Sequence, residues 1–152
     1  MTDFAPSSAF ETIDRADCLH LLRAHGLGRL AITLREQPMI FPVNYAMDGD
    51  RVVFRTDRGT KLHGAVGHAV AFEIDGFDRL YHEGWSIVVI GIAEEVTDGA
   101  EIARLATLPL GPWAPGEHAH WVRIRTGAIT GRRITRSHAT VSSGSPTALA
   151  AP

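Results

Sequence analysis

The chain has 152 residues, 45% of them hydrophobic and 21% charged, the composition of one soluble globular domain rather than of a disordered tract or a membrane bundle. A formal charge of −2 supplies no electrostatic reason to expect nucleic acid or an anionic membrane as partner. No apolar run approaches the ~20 residues that span a bilayer, MTDFAPSSAFET lacks the basic start and apolar stretch of a signal peptide, and the single Cys18 has no intramolecular disulfide partner. A cytoplasmic protein is the expectation.

In chain order, residues 1–13 read as a flexible N-terminal arm. Asp14 and Asp17 then cap a helix that carries Cys18, Leu21, Leu22 and His25 on one face and stops at Gly26. GRLAITL and PMIFPVNYAM read as strands, and Asp48-Gly49 before RVVFRT is a hairpin signal. A turn at Asp57 to Gly59 leads into TKLHGAVGH, a short helix weakened by Gly64 and Gly67. VAFEIDGF and GWSIVVIGIAEEV supply two more strands, the second bending at Gly91. A helix over 99–108 and the Pro-rich loop PLGPWAPGEH follow, and HWVRIRT with AITGRRI makes a last hairpin. Residues 137–152 are small and polar and read as a mobile tail. The domain proper is 14–136. Six or seven strands with short helices point to a mainly β, closed antiparallel barrel, because closure removes exposed sheet edges.

Familiar motifs fail on context. GLGRLA at 26–31 matches the dinucleotide pattern G-x-G-x-x-G/A, but a helix precedes it and a strand follows, the reverse of what phosphate binding needs. Gly59-Thr60-Lys61 lacks the earlier glycine of a triphosphatase loop, and GWSIV is not a nucleophile elbow. His118 and His120 share one face of a strand and would need a third ligand, while His63 and His68 point to different sides of a helix. Structural or surface histidines outweigh a zinc site on this spacing, so no metal is expected.

The stretch VVFRTDRGTKLHGA places Arg55 and Thr56 at a strand end, and Thr60 and Lys61 at the start of a helix. A guanidinium, an ammonium, two hydroxyls and free backbone N–H groups aimed at one point suit an anion, above all a phosphate. A solvated basic turn, with Arg55, Arg58 and Lys61 paired to Asp57 or Asp50, explains the same residues. Spacing leaves both readings open.

The blocks GRLAI, FPVNYAMDGDRVVFRT, GTKL, VAFEIDGF, GWSIVVIGIAEEVTD and HWVRIRTGAITGRRI, in this order over residues 14–134, resemble the pyridoxamine 5′-phosphate oxidase-like flavin-binding split-barrel superfamily. The resemblance is to its small actinobacterial and nitroimidazole-resistance-like branch. It implies a six-stranded split barrel that forms a homodimer, with flavin at the subunit interface. It further implies that Arg55, Thr56, Thr60 and Lys61 cradle the cofactor phosphate and that Pro42, Val43, Asn44 and Tyr45 run beside the ring. Trp85, Ser86, Trp121 and Arg123 match positions that approach the cofactor from the partner subunit. For the tryptophans, plain core or dimer packing explains the residues as well. Asn44 has the alternative of satisfying buried backbone, and Tyr45 that of filling the barrel.

The sequence offers no side-chain acid, base or nucleophile, and the catalytic residues stay unknown. A flavin carries the redox chemistry itself, so none is required. The expectation is an oxidoreductase using FMN, reducing a small conjugated substrate. The deazaflavin F420 is the alternative cofactor, and a non-catalytic flavin or haem binder is the alternative class, with His63, His68, His118 or His120 as axial ligand. The ending GRRITRSHATVSSG does not reproduce the substrate-phosphate motif of true pyridoxamine phosphate oxidases, which argues against vitamin B6 oxidation.

Overall fold

A computed structural model describes residues 8–110 and 120–136. The chain forms eight strands in one antiparallel sheet: β1 (Ser8–Ile13), β2 (Leu27–Leu34), β3 (Gln37–Asn44), β4 (Ala46–Asp48), β5 (Arg51–Thr56), β6 (Ala69–Asp78), β7 (Glu83–Val96) and β8 (His120–Arg136). Helix α1 (Arg15–Ala24) follows β1 and helix α2 (Gly99–Leu105) follows β7. The spatial order is β3-β2-β6-β7-β8-β5-β4, with β1 added to β8. β8 pairs with β7 along its length, while its other edge is shared by β5 at the N-terminal half and β1 at the C-terminal half. The two ends of the hydrogen-bonded path, β3 and β4, are consecutive in the chain and joined only through Tyr45. The sheet therefore curls without a closing ladder, which differs from the closed barrel expected.

Local chemistry explains most boundaries. The Asp14 carboxylate accepts from Asp17 N at 2.8 Å and so caps α1, as Asp98 caps α2 by accepting from Glu101 N at 3.0 Å. Gly49, at φ 63°, opens the two-residue β4–β5 turn with Asp50 second. The tight β2–β3 turn has no such signature: Arg35 and Glu36 sit at φ 51° and 64°, a cost to non-glycine residues that sequence alone does not announce. Inside the curl, Leu22, Leu30, Tyr45, Phe54, Phe72 and Ile87 are fully or almost fully buried, each large apolar side chain stabilising by about 1.5–3 kcal/mol. Tyr45 packs edge-on to Phe72 at 4.8 Å and donates its hydroxyl to the Leu22 carbonyl at 2.6 Å, tying the β3–β4 break to α1. A second cluster of Val53, Val96, Leu105 and Trp121 lies under α2 on the outer face.

Several expectations are corrected. The sheet has eight strands, not six. Residues 8–13 of the supposed arm form β1, paired from Ser8↔Arg136 to Ile13↔Gly131, because β8 runs on past β5 and offers them an edge. HWVRIRTGAITGRRI is one strand, not a hairpin. The register passes from Ile90↔Ala128 to Gly91↔Thr126, which leaves Gly127 as the extra residue of a bulge. That step belongs to the site of the expected bend at Gly91, where a Cβ would run into the Arg125 carbonyl. The stretch after Thr60 makes only a single 3-10 turn, His63–Ala65. Residues 1–7, 111–119 and 137–152, including the expected tail and His118, lie outside the described residues.

Candidate functional site

β5 delivers the first group of residues. Its alternation buries Val52, Phe54 and Thr56 toward the curl and sends Arg55 to the opposite face, where the guanidinium stacks 5.0 Å over the ring of Trp121, its cross-strand partner. Thr56, only 3% exposed, meets the Thr60 hydroxyl at 3.0 Å. Thr60 in turn donates to the Asp57 carbonyl at 2.8 Å and accepts from His63 N at 3.1 Å. The two threonines thus organise the turn, while Lys61 is exposed beside it. Arg55 and Lys61 make no ion pair with any described residue, whereas Asp50, one suggested partner, is taken by Arg15 at 2.9 Å.

The FPVN segment ends at the β3–β4 break. Val43 and Tyr45 are buried, Pro42 is exposed, and the Asn44 Oδ1 is buried with no hydrogen-bond partner among the described residues. Burial pushes the Tyr45 phenol well up, so this hydroxyl is a structural donor. An unpartnered buried amide oxygen at a strand break is open to a ligand donor.

Trp85 and Ser86 lie toward the other end of β8, opposite Arg133 and Arg132. They line an open cavity of about 430 Å³ together with Asp75, Phe77, Arg132 and Ile134, within the size range of small-molecule sites. Gly76 is the cross-strand neighbour of Trp85, and any Cβ there would meet the indole at 2.6 Å, so the glycine lets the ring lie against the sheet. His25, at the end of α1, lies 5.2 Å from the indole between ring centroids, its plane tilted by 59°. Arg132 and Asp75 are lining residues that sequence reasoning did not single out. Asp75 is already engaged by Arg29 at 3.2 Å, with Glu73 beside it. Desolvation, and then the Asp75 charge, raise the Glu73 carboxyl above its ordinary range.

Arg123 and Trp121 are both committed inside the chain. The Arg123 guanidinium donates to Glu94 at 2.6 Å and to Glu101 of α2 at 2.9 Å, bonds that raise its already high pKa further. Trp121 is 7% exposed under α2. Next to them, His120 contacts Glu95 through Nδ1 at 2.5 Å, and His63 Nε2 stands 3.6 Å from the second oxygen of the same carboxylate. The His120 hydrogen bond holds Glu95 below the usual carboxylate range. These three residues sit on three elements, and pairwise histidine spacing had no means of finding them. His68 is exposed.

A curled antiparallel sheet with a broken β3–β4 junction, a threonine-built turn and a Trp-lined cavity defines a split-barrel protein. The chain belongs to the pyridoxamine 5′-phosphate oxidase family, whose model matches residues 14–133. An uncharacterized protein of Mycobacterium tuberculosis is 37% identical over 138 residues, 86% of this chain and 90% of the relative. The structure of the FAD-binding protein from Mycobacterium smegmatis superimposes with a TM-score of 0.72 at 37% identity, covering 82% of this chain and 98% of that one. An FAD-binding protein from Mesorhizobium loti gives 0.65 at 25% identity, covering 82% and 97%. A nitroimidazole antibiotic resistance protein from Bacteroides thetaiotaomicron shares the fold, with 0.72 at 13% identity over 86% of this chain and 90% of that one.

Proposed function

We propose that this chain is a flavin-dependent oxidoreductase that works as a homodimer, with the cofactor at the subunit interface and a small conjugated substrate stacked on it. The observation that carries the reading is the turn after β5: a part-buried Thr56–Thr60 hydroxyl pair with exposed Lys61 beside it and Arg55 on the neighbouring face of the strand, neither cation in an ion pair with a described residue. Such a set fits a phosphate, which accepts from hydroxyls, from ammonium and from a guanidinium fork. The unpartnered Asn44 Oδ1 fits a donor on the edge of a planar ring system. FAD-binding relatives at 37% and 25% identity favour FAD over FMN or F420.

Bound flavin would supply hydride chemistry, and the chain's own residues would bind, orient and shield it. Thr56, Thr60, Lys61 and Arg55 hold the phosphate end. Pro42 to Tyr45 present backbone and the Asn44 amide to the ring. Trp85 and Ser86 lie far along β8 from Thr56: between the β8 partners of Thr56 and of Trp85, His120 and Arg133, run roughly 40 Å of extended strand. A site using both ends is natural when each of two copies supplies one. Exposed Phe10, Phe77 and Ile134 around the cavity, at 67%, 68% and 38%, offer the apolar surface that a second copy would cover.

The test is a titration of the apoprotein with FAD, FMN, F420 and riboflavin, repeated for Lys61→Ala and Arg55→Ala. Loss of a charge-assisted contact costs about 1.5–3 kcal/mol, so phosphate-bearing flavins weaken tenfold or more while riboflavin barely changes. Equal loss for riboflavin overturns the phosphate assignment. Reduction of the bound flavin by a nicotinamide or F420H2 donor supports an oxidoreductase, and resistance to every donor makes it a binder.

A further inference from the structure

We propose that His63, Glu95 and His120 form a binding site for a divalent transition metal of the zinc class. The three ligand atoms converge from the 3-10 turn, β7 and β8, and all lie within 4.8 Å of one another. Each oxygen of the Glu95 carboxylate faces an imidazole nitrogen, His120 Nδ1 at 2.5 Å on Oε1 and His63 Nε2 at 3.6 Å on Oε2. The rings meet nearly edge to face, with centroids 5.2 Å apart and planes at 63°.

An ordinary histidine–carboxylate pair accounts for only half of this. His120 needs Glu95 as a hydrogen-bond partner, but the His63 Nε2 atom is buried and has no hydrogen-bond partner among the described residues. That nitrogen stands 3.6 Å from the Glu95 carboxylate, beyond hydrogen-bond length, and a cation seated between the two imidazoles and the carboxylate would give all three groups a partner at once. Zinc bonds of about 2.0–2.1 Å in a tetrahedron set ligand atoms roughly 3.3 Å apart, so modest side-chain rotation closes the set. Glu95 and His120 stand on the two most extensively paired strands and are fixed in place, being diagonal neighbours in the register Glu95↔Val122. His63 is on the short turn that Thr60 holds through His63 N, and this turn can adjust. Two imidazoles and one carboxylate suit zinc, and three protein ligands leave a fourth position open to water or an anion. With side chains 22–24% exposed, the site is reachable from solvent. It adjoins the Thr56–Thr60 turn, since Thr56 is the β5 partner of His120, but the inference does not depend on flavin.

The experiment uses the untagged full chain, stripped with chelator, and Zn²⁺ or Co²⁺ alone as the probe. The expected result is one Co²⁺ per chain with the intense visible absorption of low coordination number, displaced by Zn²⁺. Second-sphere changes cost 10–100-fold in affinity, so removing a ligand in His120→Asn or Glu95→Gln weakens Zn²⁺ by roughly a hundredfold or more. His68→Asn, an exposed histidine outside the triad, leaves it unchanged. No stoichiometric binding, affinity unaltered in the triad variants, or equal loss in His68→Asn overturns the proposal. If the β-strand variants fail to fold, His63→Asn on the turn decides alone, because its substitution leaves both strands intact.

Discussion

The two ends of β8 are built differently. At its N-terminal end, around Thr56, Thr60, His63, Glu95, His120 and Arg123, polar groups meet each other through short bonds, with the Arg123 guanidinium closed between Glu94 and Glu101. At its C-terminal end the packing is apolar and close to the backbone: Gly131 faces Cys18 and Ile13, and Gly76 faces Trp85, while Phe10, Phe77 and Ile134 remain outside. The first end can hold a charged ligand because its groups are oriented in advance by other protein groups. The second can hold a flat or apolar one, or another copy of the chain, because its apolar surface is left uncovered.

Filling the backbone gap at the second end gives the largest expected effect. A Cβ on Gly131 would lie 2.5 Å from the Cys18 sulfur and 2.9 Å from the Ile13 Cβ, both in the core. Gly131→Ala is expected to lower the unfolding free energy by about 3 kcal/mol, the upper range of overpacking costs, read from urea unfolding. An unchanged midpoint would mean that α1 and β1 do not press on β8 as described. Phe77→Asp tests the uncovered surface: the wild type is expected to sediment as a dimer at micromolar concentration, and the variant as a folded monomer. Monomeric wild type would remove the two-subunit site.

The smallest effect probes an ion pair next to the first end. Arg104 of α2 grips Asp48 with bonds of 2.7 and 3.0 Å, which hold its carboxyl below the ordinary range. A carboxyl whose folded pKa is depressed stabilises the fold above its unfolded value of about 4 and loses that contribution as pH falls through the lower, folded value. Arg104→Ala should therefore shift the urea midpoint at pH 7, and the difference from wild type should shrink below about pH 4. A difference that persists in acid would assign the effect to packing of α2.

Much of the fold was legible locally. Asp14 announced α1 through capping, and Asp48-Gly49 announced the β4–β5 turn. β1 was not legible, because residues 8–13 become a strand only when β8 presents an edge to them. The β2–β3 turn hid behind two non-glycine residues at positive φ, and Tyr45 interrupted a run that reads as one strand. Of the candidate site, the FRT and TK residues were visible from their order. Their distribution over two faces was a matter of pleat and turn.

By itself the sequence determined the mainly β character, the cap of α1, the basic and hydroxyl-rich turn after β5 and the family likeness, since these depend on residue type and short spacing. Only the tertiary structure decided that His63, Glu95 and His120 share one point, that Arg123 is held by Glu94 and Glu101, and that Trp85 faces a cavity with Arg132. The reason is register. Which residues meet across β7, β8 and β5 is set by pairing along whole strands and by one bulge at Gly127, and a single added residue there reassigns every neighbour beyond it.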